Sequence, residues 1–257
     1  MRRRLLIALS AACTLTTTAC GSSSSSRSSS AGVTGPVVVS AAASLKESFT
    51  ALAGRFEAAH PGVKVTLNFG GSDSLAAQIT GGAAVDVFAA ASSKTMATVT
   101  DAKDGLGAPV TFVRNELEIA VPPSNPAHVA TLADTTRAGV KLVLCAPTVP
   151  CGAAATSAYG AANLTAKPVS LEQDVKSVLT KVELNEADAG LVYQTDVKAA
   201  GDKVTGIAFP EAAQAIATYP IVAVKSGKNP AAAAAFIGYV LSSTGAAVLS
   251  AAGFLKP

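Results

Sequence analysis

The strongest constraint on the fold is an alternation, from Pro36 onward, between short apolar segments and segments that favour helices. The run Val37–Val39 is β-branched and predicts a buried strand. The next segment predicts a helix, because its apolar residues recur at helical spacing: Leu45, Phe49, Leu52 and Phe56. The alternation then repeats along the chain, which predicts parallel βαβ units with helices on both faces of each sheet. We therefore expect an α/β fold.

A second series of strands and helices begins after residue 114, where the segment ELEIAVPPSNP is interpreted as a longer strand. The chain has 257 residues, which is enough for two lobes of ordinary size. We predict two doubly wound α/β lobes between which the chain crosses twice. Lobe 1 would comprise residues 36–114 with 218–257, and lobe 2 would comprise residues 115–217.

The first 35 residues are not expected to join the fold. Residues 1–20 have a basic start, an apolar run and small residues before a cysteine, which predicts an export signal. Residues 21–35 are rich in Ser and Gly and predict a flexible tether. Together these segments resemble a bacterial lipoprotein signal, with Cys20 as the expected lipidation site and Cys13 as the weaker alternative. We therefore expect an exported protein that is lipid-anchored to the outer face of the cytoplasmic membrane.

The charge of the expected folded part is close to zero. The whole chain has 20 Lys and Arg residues and 17 Asp and Glu residues. Residues 1–35 contain no acidic residue and four arginines, so the remainder has a net charge of about −1. A nearly neutral body argues against binding to nucleic acid and against a basic membrane-binding face. If the protein binds an anion, local geometry must provide the attraction.

Two cysteines lie beyond the leader, in the segment VLCAPTVPCG. In an exported protein, two cysteines that flank a short proline-containing loop predict a disulfide, here between Cys145 and Cys151. We do not expect a site for a free metal cation, because the only histidines, His60 and His128, leave ligands scarce.

The common enzyme motifs are missing from the sequence. It contains no GxSxG elbow, no P-loop and no GxGxxG fingerprint. A Ser-His-Asp triad would need His60 or His128, and His128 lies in a predicted loop rich in Pro and Ala. A binder of organic acids would be expected to hold the carboxylate with an arginine at a strand-to-helix turn. The arginines beyond the tether lie elsewhere: Arg55, Arg114 and Arg137. A non-catalytic receptor is therefore favoured, and an exported hydrolase is the alternative of another class.

The stretch AAASLKE joins the first predicted strand to the first helix and contains one hydroxyl, that of Ser44. Ser44 and Glu47, three residues later, fit a capping box, which is one interpretation of the stretch. The other interpretation is that the small residues leave N–H groups at the helix start open to an anion. The stretch alone leaves both interpretations open.

Three further helix starts follow predicted strands in the same way. Ser72 follows two glycines, Cys151 begins a run of helix formers, and Asp174 is placed to cap a fourth helix. Tyr193 ends another strand, and its hydroxyl could point into the same crevice. In a doubly wound sheet such turns lie at the carboxyl ends of the strands, where ligands bind. Since each helix start offers N–H groups at the positive end of a dipole, the pattern predicts an anion site between the lobes.

Six segments, in their order and spacing, resemble the molybdate-binding proteins of ABC transporters: AAASLKE, FGGSDSLAAQI, VDVFAAA, VPCG, EQDVKSVL and AGLVYQTD. The resemblance covers essentially all of residues 36–257. It implies the type 2 periplasmic-binding-protein fold, in which two α/β lobes joined by a hinge hold an oxyanion, without catalysis and without a cofactor. It places the ligand contacts on five residues: Ser44 and Ser72 in lobe 1, and Cys151, Val175 and Tyr193 in lobe 2.

Two residues depart from the family pattern. Cys151 stands where many members have alanine, but the implied contact is a backbone N–H, so the side chain should be tolerated. A disulfide to Cys145 could also fix this loop. Asp73 stands in a run that is often richer in serine, and we expect it to face away from the anion as a helix cap.

The resemblance implies molybdate as the ligand, and tungstate should bind as well because it is nearly the same size. Molybdate is a tetrahedral dianion without a proton at neutral pH, so its site needs hydrogen-bond donors and no acceptor. Sulfate has the same charge and shorter bonds, so a receptor for sulfate or another tetrahedral oxyanion is the closest alternative. We expect a monomeric solute-binding lipoprotein that delivers the anion to an ABC permease.

Overall fold

Two five-stranded sheets organise residues 33–257, which are the residues that the computed structural model describes. The strands of the first sheet are β1 Gly35–Ala42, β2 Val63–Gly70, β3 Val87–Ala89, β4 Gly105–Asn115 and β10 Ala217–Val224. The strands of the second sheet are β5 Leu117–Val121, β6 Leu142–Cys145, β7 Ser170–Glu172, β8 Ala189–Tyr193 and β9 Thr205–Ile207. The helices are α1 Lys46–Ala59, α2 Ser72–Thr80, α3 Ser93–Asp101, α4 Pro150–Ala161, α5 Val175–Glu183, α6 Gln194–Ala200, α7 Pro230–Leu241 and α8 Ser243–Ala251.

Both sheets are mixed, although the sequence pattern predicted parallel units. The first sheet has the order β2-β1-β3-β10-β4, with β1 parallel to its two neighbours and β10 antiparallel to its own. The second sheet has the order β7-β6-β8-β5-β9, with β5 antiparallel to its two neighbours. The antiparallel strands are those next to the points where the chain passes between the sheets. The predicted class, two α/β lobes, is confirmed, and we call each sheet with its helices a lobe.

Two strands differ in length from what the sequence pattern indicated: β5 is shorter and β1 is longer. The segment ELEIAVPPSNP forms a strand only over Leu117–Val121, because the next two residues are prolines that cannot donate a ladder hydrogen bond. The predicted tether overlaps the first strand by one residue, since β1 begins at Gly35. The predictions of a signal peptide, of lipidation at Cys20 and of the alternative Cys13 lie outside the described residues.

The apolar periodicity of the first helix is confirmed by its packing. Phe49, Leu52 and Phe56 are fully buried, and the ring of Phe56 packs edge-on against Phe236 of α7 with centroids 5.3 Å apart. The helix therefore covers one face of the first sheet, and its start is held at the carboxyl end of β1. Fully burying an aromatic or aliphatic side chain of this size contributes about 1.5–3 kcal/mol. The burial of these residues therefore stabilises the helix although no side chain caps its start.

Within residues 33–257 no single helix is long and apolar enough to cross a membrane. Helices α7 and α8 reach the required length and hydropathy only as a pair that is bent by 60°.

Candidate functional site

One small pocket lies between the two lobes, at the carboxyl ends of their strands. All five predicted contact residues line it: Ser44, Ser72, Cys151, Val175 and Tyr193. None of these residues is more than 4 % exposed. The volume open to the centre of a water-sized sphere is about 20 Å³, so the pocket suits one small ligand.

Ser44 reaches the pocket from a single 3₁₀ turn, Ala43–Leu45, that follows β1. The capping box predicted for Ser44 and Glu47 is wrong, because the residue that caps α1 is Leu45 and no side chain bonds the helix start. The hydroxyl of Ser44 instead shares a hydrogen bond of 2.8 Å with the hydroxyl of Tyr219. Ala42 and Ala43, which precede Ser44, also line the pocket, so this wall has only small side chains beside the serine.

Ser72 is the first residue of α2, and Gly71 precedes it as the N-cap in an extended conformation. The hydroxyl oxygen of Ser72 accepts a hydrogen bond of 3.0 Å from the N–H of Ala91. Because this bond occupies the oxygen as an acceptor, the proton of Ser72 remains free to be donated into the pocket.

Asp73 does not cap α2, so the predicted helix cap is wrong. The cap is Gly71, and Asp73 lies in the first turn of the helix, outside the residues that line the pocket. One of its carboxylate oxygens is buried and has no hydrogen-bond partner among the described residues.

Cys151 lies in the first turn of α4 and is joined to Cys145 at the end of β6 by a disulfide, as predicted. The helix begins with Pro150, which has no N–H, so Cys151 supplies its first backbone donor. Among the described residues no backbone carbonyl accepts from the N–H of Cys151. The disulfide thus holds the start of a helix whose first free N–H belongs to a residue that lines the pocket.

Val175 is the first residue of α5, and Asp174 caps the helix as predicted. The carboxylate of Asp174 accepts from the N–H of Ser177 at 2.9 Å and from its hydroxyl at 3.1 Å. The capping carboxylate is therefore directed to its own helix, although the residue lines the pocket. The N–H of Val175 has no backbone acceptor among the described residues and is available to a ligand.

Tyr193 ends β8, and its hydroxyl is the one polar side-chain atom of the five predicted residues without a hydrogen-bond partner in residues 33–257. A buried hydroxyl without a partner is costly, so the position indicates that a ligand completes its bonding. Burial raises the pKa of Tyr193 well above its ordinary value, so the hydroxyl keeps its proton at neutral pH.

No Lys, Arg or His lines the pocket in the described part of the chain. Lys176, the residue after Val175, bonds Asp196 at 3.0 Å and Glu47 at 2.9 Å. Burial alone would lower the pKa of Lys176, but the two carboxylates raise it above its ordinary value. The ammonium group therefore stays charged and paired with Asp196 and Glu47. The described residues that line the pocket therefore offer an anion N–H and O–H groups and no cation.

Two contacts between the lobes border the pocket. Lys176 of α5 and Glu47 of α1 form an ion pair from one lobe to the other. Gly71 lies so close to the carbonyl oxygen of Gln173 that a Cβ atom at Gly71 would fall well inside van der Waals contact. The structure thus has its lobes closed on each other at this point.

Sequence reasoning missed Asn115 and Tyr219, which lie directly behind Ser44. Both are fully buried, and the amide nitrogen of Asn115 donates to the hydroxyl of Tyr219 at 3.4 Å. No local signal marks them, because each is one polar residue in a strand and their partners are distant in the chain.

Comparison with known proteins gives a consistent result. The family model described as bacterial extracellular solute-binding protein matches residues 37–255. The molybdate-binding protein ModA of Mycobacterium tuberculosis is 43 % identical over 223 residues, which cover 86 % of this chain and 85 % of that protein.

Solved structures agree in fold. The substrate-binding domain of a putative molybdenum ABC transporter from Clostridium difficile is 31 % identical, with a TM-score of 0.65, and the match covers 86 % of this chain and 99 % of that one. The periplasmic molybdate-binding protein of Azotobacter vinelandii has a TM-score of 0.76 at 22 % identity, with coverage of 86 % and 99 %. At that identity the second likeness supports the fold alone.

Proposed function

Because the chain belongs to the bacterial extracellular solute-binding protein family, we propose that it captures molybdate for an ABC transporter. A member of this family is a solute-binding protein and not an enzyme, so the alternative of an exported hydrolase is set aside. Support for molybdate comes from the relatives named as molybdate-binding proteins and from the chemistry of the pocket.

The observation that carries the proposal is the set of donors around one small pocket. Three hydroxyls, those of Ser44, Ser72 and Tyr193, would donate to the anion. The N–H groups of Cys151 and Val175 would donate from the starts of their helices. We propose these five residues as the ligand contacts.

Molybdate suits such a site because it accepts hydrogen bonds at all four oxygens and has no proton to donate at neutral pH. A buried carboxylate free to face the ligand would repel this dianion. Among the described residues that line the pocket, the only carboxylate is that of Asp174, which is bonded to its own helix, and Asp73 lies outside the lining. Hydrogen phosphate, in contrast, needs an acceptor for its proton. We propose that tungstate, with nearly the same size and charge, binds in the same way.

The two-lobed fold supports a capture mechanism in which the lobes close on the anion. We propose lobe 1 as residues 36–114 with 218–257, lobe 2 as residues 115–217, and hinge closure on binding. The closed protein would then deliver molybdate to a permease in the membrane. We further propose a monomer that is held at the outer face of the cytoplasmic membrane by a lipid on Cys20.

Isothermal titration calorimetry with a panel of oxyanions tests the ligand. We expect molybdate and tungstate to bind with similar affinity, and phosphate to show no detectable binding. Preferential binding of sulfate would replace molybdate by the smaller dianion as the ligand. Failure of every tetrahedral dianion to bind would refute the proposed function.

The variant Ser44→Ala tests the site. A hydrogen bond to a charged acceptor contributes roughly 1.5–3 kcal/mol, so we expect affinity to fall about tenfold to a hundredfold. Ser48→Ala is the matched control, because Ser48 is also buried but bonds the carbonyl of Leu45 and lies outside the pocket. Equal affinities of wild type and Ser44→Ala would remove Ser44 from the site.

A further inference from the structure

A chain of buried hydrogen bonds runs from Asn115 to the pocket. Asn115 and Tyr219 are fully buried, and Thr195 and Ser44 are 5 % and 4 % exposed. The side-chain amide of Asn115 donates to Thr195 at 2.8 Å and to Tyr219 at 3.4 Å, and the Tyr219 hydroxyl meets that of Ser44 at 2.8 Å. Every member of this chain is uncharged.

The backbone fixes the orientation of the Asn115 amide. The backbone N–H of Glu116 donates to the side-chain amide oxygen of Asn115, Oδ1, at 3.1 Å. The opposite orientation would set the amide nitrogen against this N–H, donor against donor. The Asn115 nitrogen is therefore the donor, and its two protons are used by Thr195 and Tyr219.

The Asn115 donor in turn fixes the proton of Tyr219. The Tyr219 oxygen already accepts from Asn115, and the Ser44 oxygen lies 2.8 Å away as an acceptor for the Tyr219 proton. Burial raises the pKa of Tyr219 above its ordinary value, so the proton is present at neutral pH. The ring is held by edge-on packing against Tyr193 and Phe254, with centroids 6.1 and 5.5 Å away. Tyr219 thus donates to Ser44, and the proton of Ser44 is left to point into the pocket.

We propose that Asn115 and Tyr219 are positioning residues that hold Ser44 as a donor toward the pocket and so determine which oxyanions the site accepts. A Ser44 hydroxyl that could rotate would also accept a hydrogen bond from the O–H of hydrogen phosphate. A hydroxyl held as a donor cannot, and its own donation is strengthened by the bond it accepts. The inference deepens the proposed function and rests on it, since it concerns selection at the same pocket.

The test measures the affinities for molybdate and for inorganic phosphate in mildly alkaline buffer, where phosphate is mainly a dianion with one O–H. In Tyr219→Phe the ring packing is kept and the Ser44 hydroxyl is free to turn. We expect molybdate affinity to fall about tenfold and the molybdate-to-phosphate affinity ratio to fall with it. Tyr159→Phe is the matched control, because it also deletes a buried tyrosine hydroxyl, here one bonded to Thr135 at 2.6 Å, and Tyr159 is not among the residues that line the pocket.

Asn115→Asp is a second test and serves if Tyr219→Phe fails to fold. A carboxylate at position 115 cannot donate to Tyr219, so Tyr219 donates to it instead. Ser44 then donates to Tyr219, and the Ser44 oxygen presents a lone pair to the pocket. The added charge weakens both dianions alike, and the affinity ratio isolates the reversed order, so we expect the ratio to fall again.

The outcomes separate the two proposals. An unchanged affinity ratio in both variants, or an equal loss in Tyr159→Phe, would overturn the role of Asn115 and Tyr219. Absence of molybdate binding by the wild-type protein would overturn the proposed function itself.

Discussion

Replacing Gly71 with alanine tests whether closure of the lobes is needed for tight binding. Gly71 is the N-cap of α2 in the first lobe, and a Cβ atom there would overlap the carbonyl oxygen of Gln173 in the second lobe. It would also come within 2.8 Å of the Asp73 carboxylate, which is a flexible side chain that can move away. The backbone carbonyl cannot move without shifting the start of α5.

The size of the effect follows from the geometry. To restore ordinary contact with the methyl group, the lobes must separate at this point by about 1 Å. A hydrogen bond stretched by that amount no longer holds, and the second lobe supplies three of the five proposed donors: the hydroxyl of Tyr193 and the N–H groups of Cys151 and Val175. Losing one such bond to a charged acceptor costs roughly 1.5–3 kcal/mol, so affinity should fall at least about tenfold.

The assay is calorimetric titration with molybdate, together with thermal unfolding of the ligand-free protein. The open protein accommodates the methyl group, so the melting temperature without ligand should change little. Gly70→Ala is the matched control, because the adjacent glycine also lines the pocket but a Cβ there makes only ordinary contact with Leu75 at 3.6 Å. Its affinity should stay within about threefold of wild type.

If Gly71→Ala binds molybdate as tightly as Gly70→Ala, the approach of Gly71 to Gln173 is not part of the liganded state. The pocket would then bind molybdate without needing the second lobe at this distance.

Three other predictions concern the groups around the pocket. Molybdate affinity should vary by less than about threefold between pH 6 and 8, because the raised pKa of Tyr193 keeps this donor protonated and the other proposed donors are serine hydroxyls and backbone N–H groups. A tenfold change in calorimetry would identify a wrong donor. Glu47→Gln breaks the partly exposed ion pair with Lys176 across the lobes, so affinity should fall up to about fivefold in low salt and converge with wild type in high salt. Reducing the Cys145–Cys151 disulfide should lower the melting temperature by about 4–8 °C in scanning calorimetry, since so short a loop contributes only about 2 kcal/mol; an unchanged melting temperature after verified reduction would contradict this.

The parts of the fold that sequence predicted best are those decided by local pattern. Helix α2 begins at Ser72, directly after the two glycines where a helix start was predicted, and Asp174 caps α5 as a short polar side chain should. Strand β4, Gly105–Asn115, had no such signal. Its first half is exposed and contains Gly and Pro, and it is held by pairing with β10, about one hundred residues later in the chain.

The site shows the same division between local and distant causes. The five residues that the family resemblance indicated line one pocket, because each follows a strand end that the fold brings to the same place. The capping box at Ser44 failed because its hydroxyl bonds Tyr219, 175 positions away, and Glu47 bonds Lys176 of the other lobe. A local motif cannot reveal which distant partner will compete for its atoms.

The place of β10 in the first sheet has a consequence for the order in which the protein can form during synthesis. This strand lies between β3 and β4, yet it is the last strand to leave the ribosome. Until Val224 has emerged, β3 and β4 each lack a neighbour and present open edges. The second sheet draws all its strands from Leu117–Ile207 and can pair earlier. The lobe that begins first is therefore completed last, and its sheet stays incomplete until nearly the whole chain has been made.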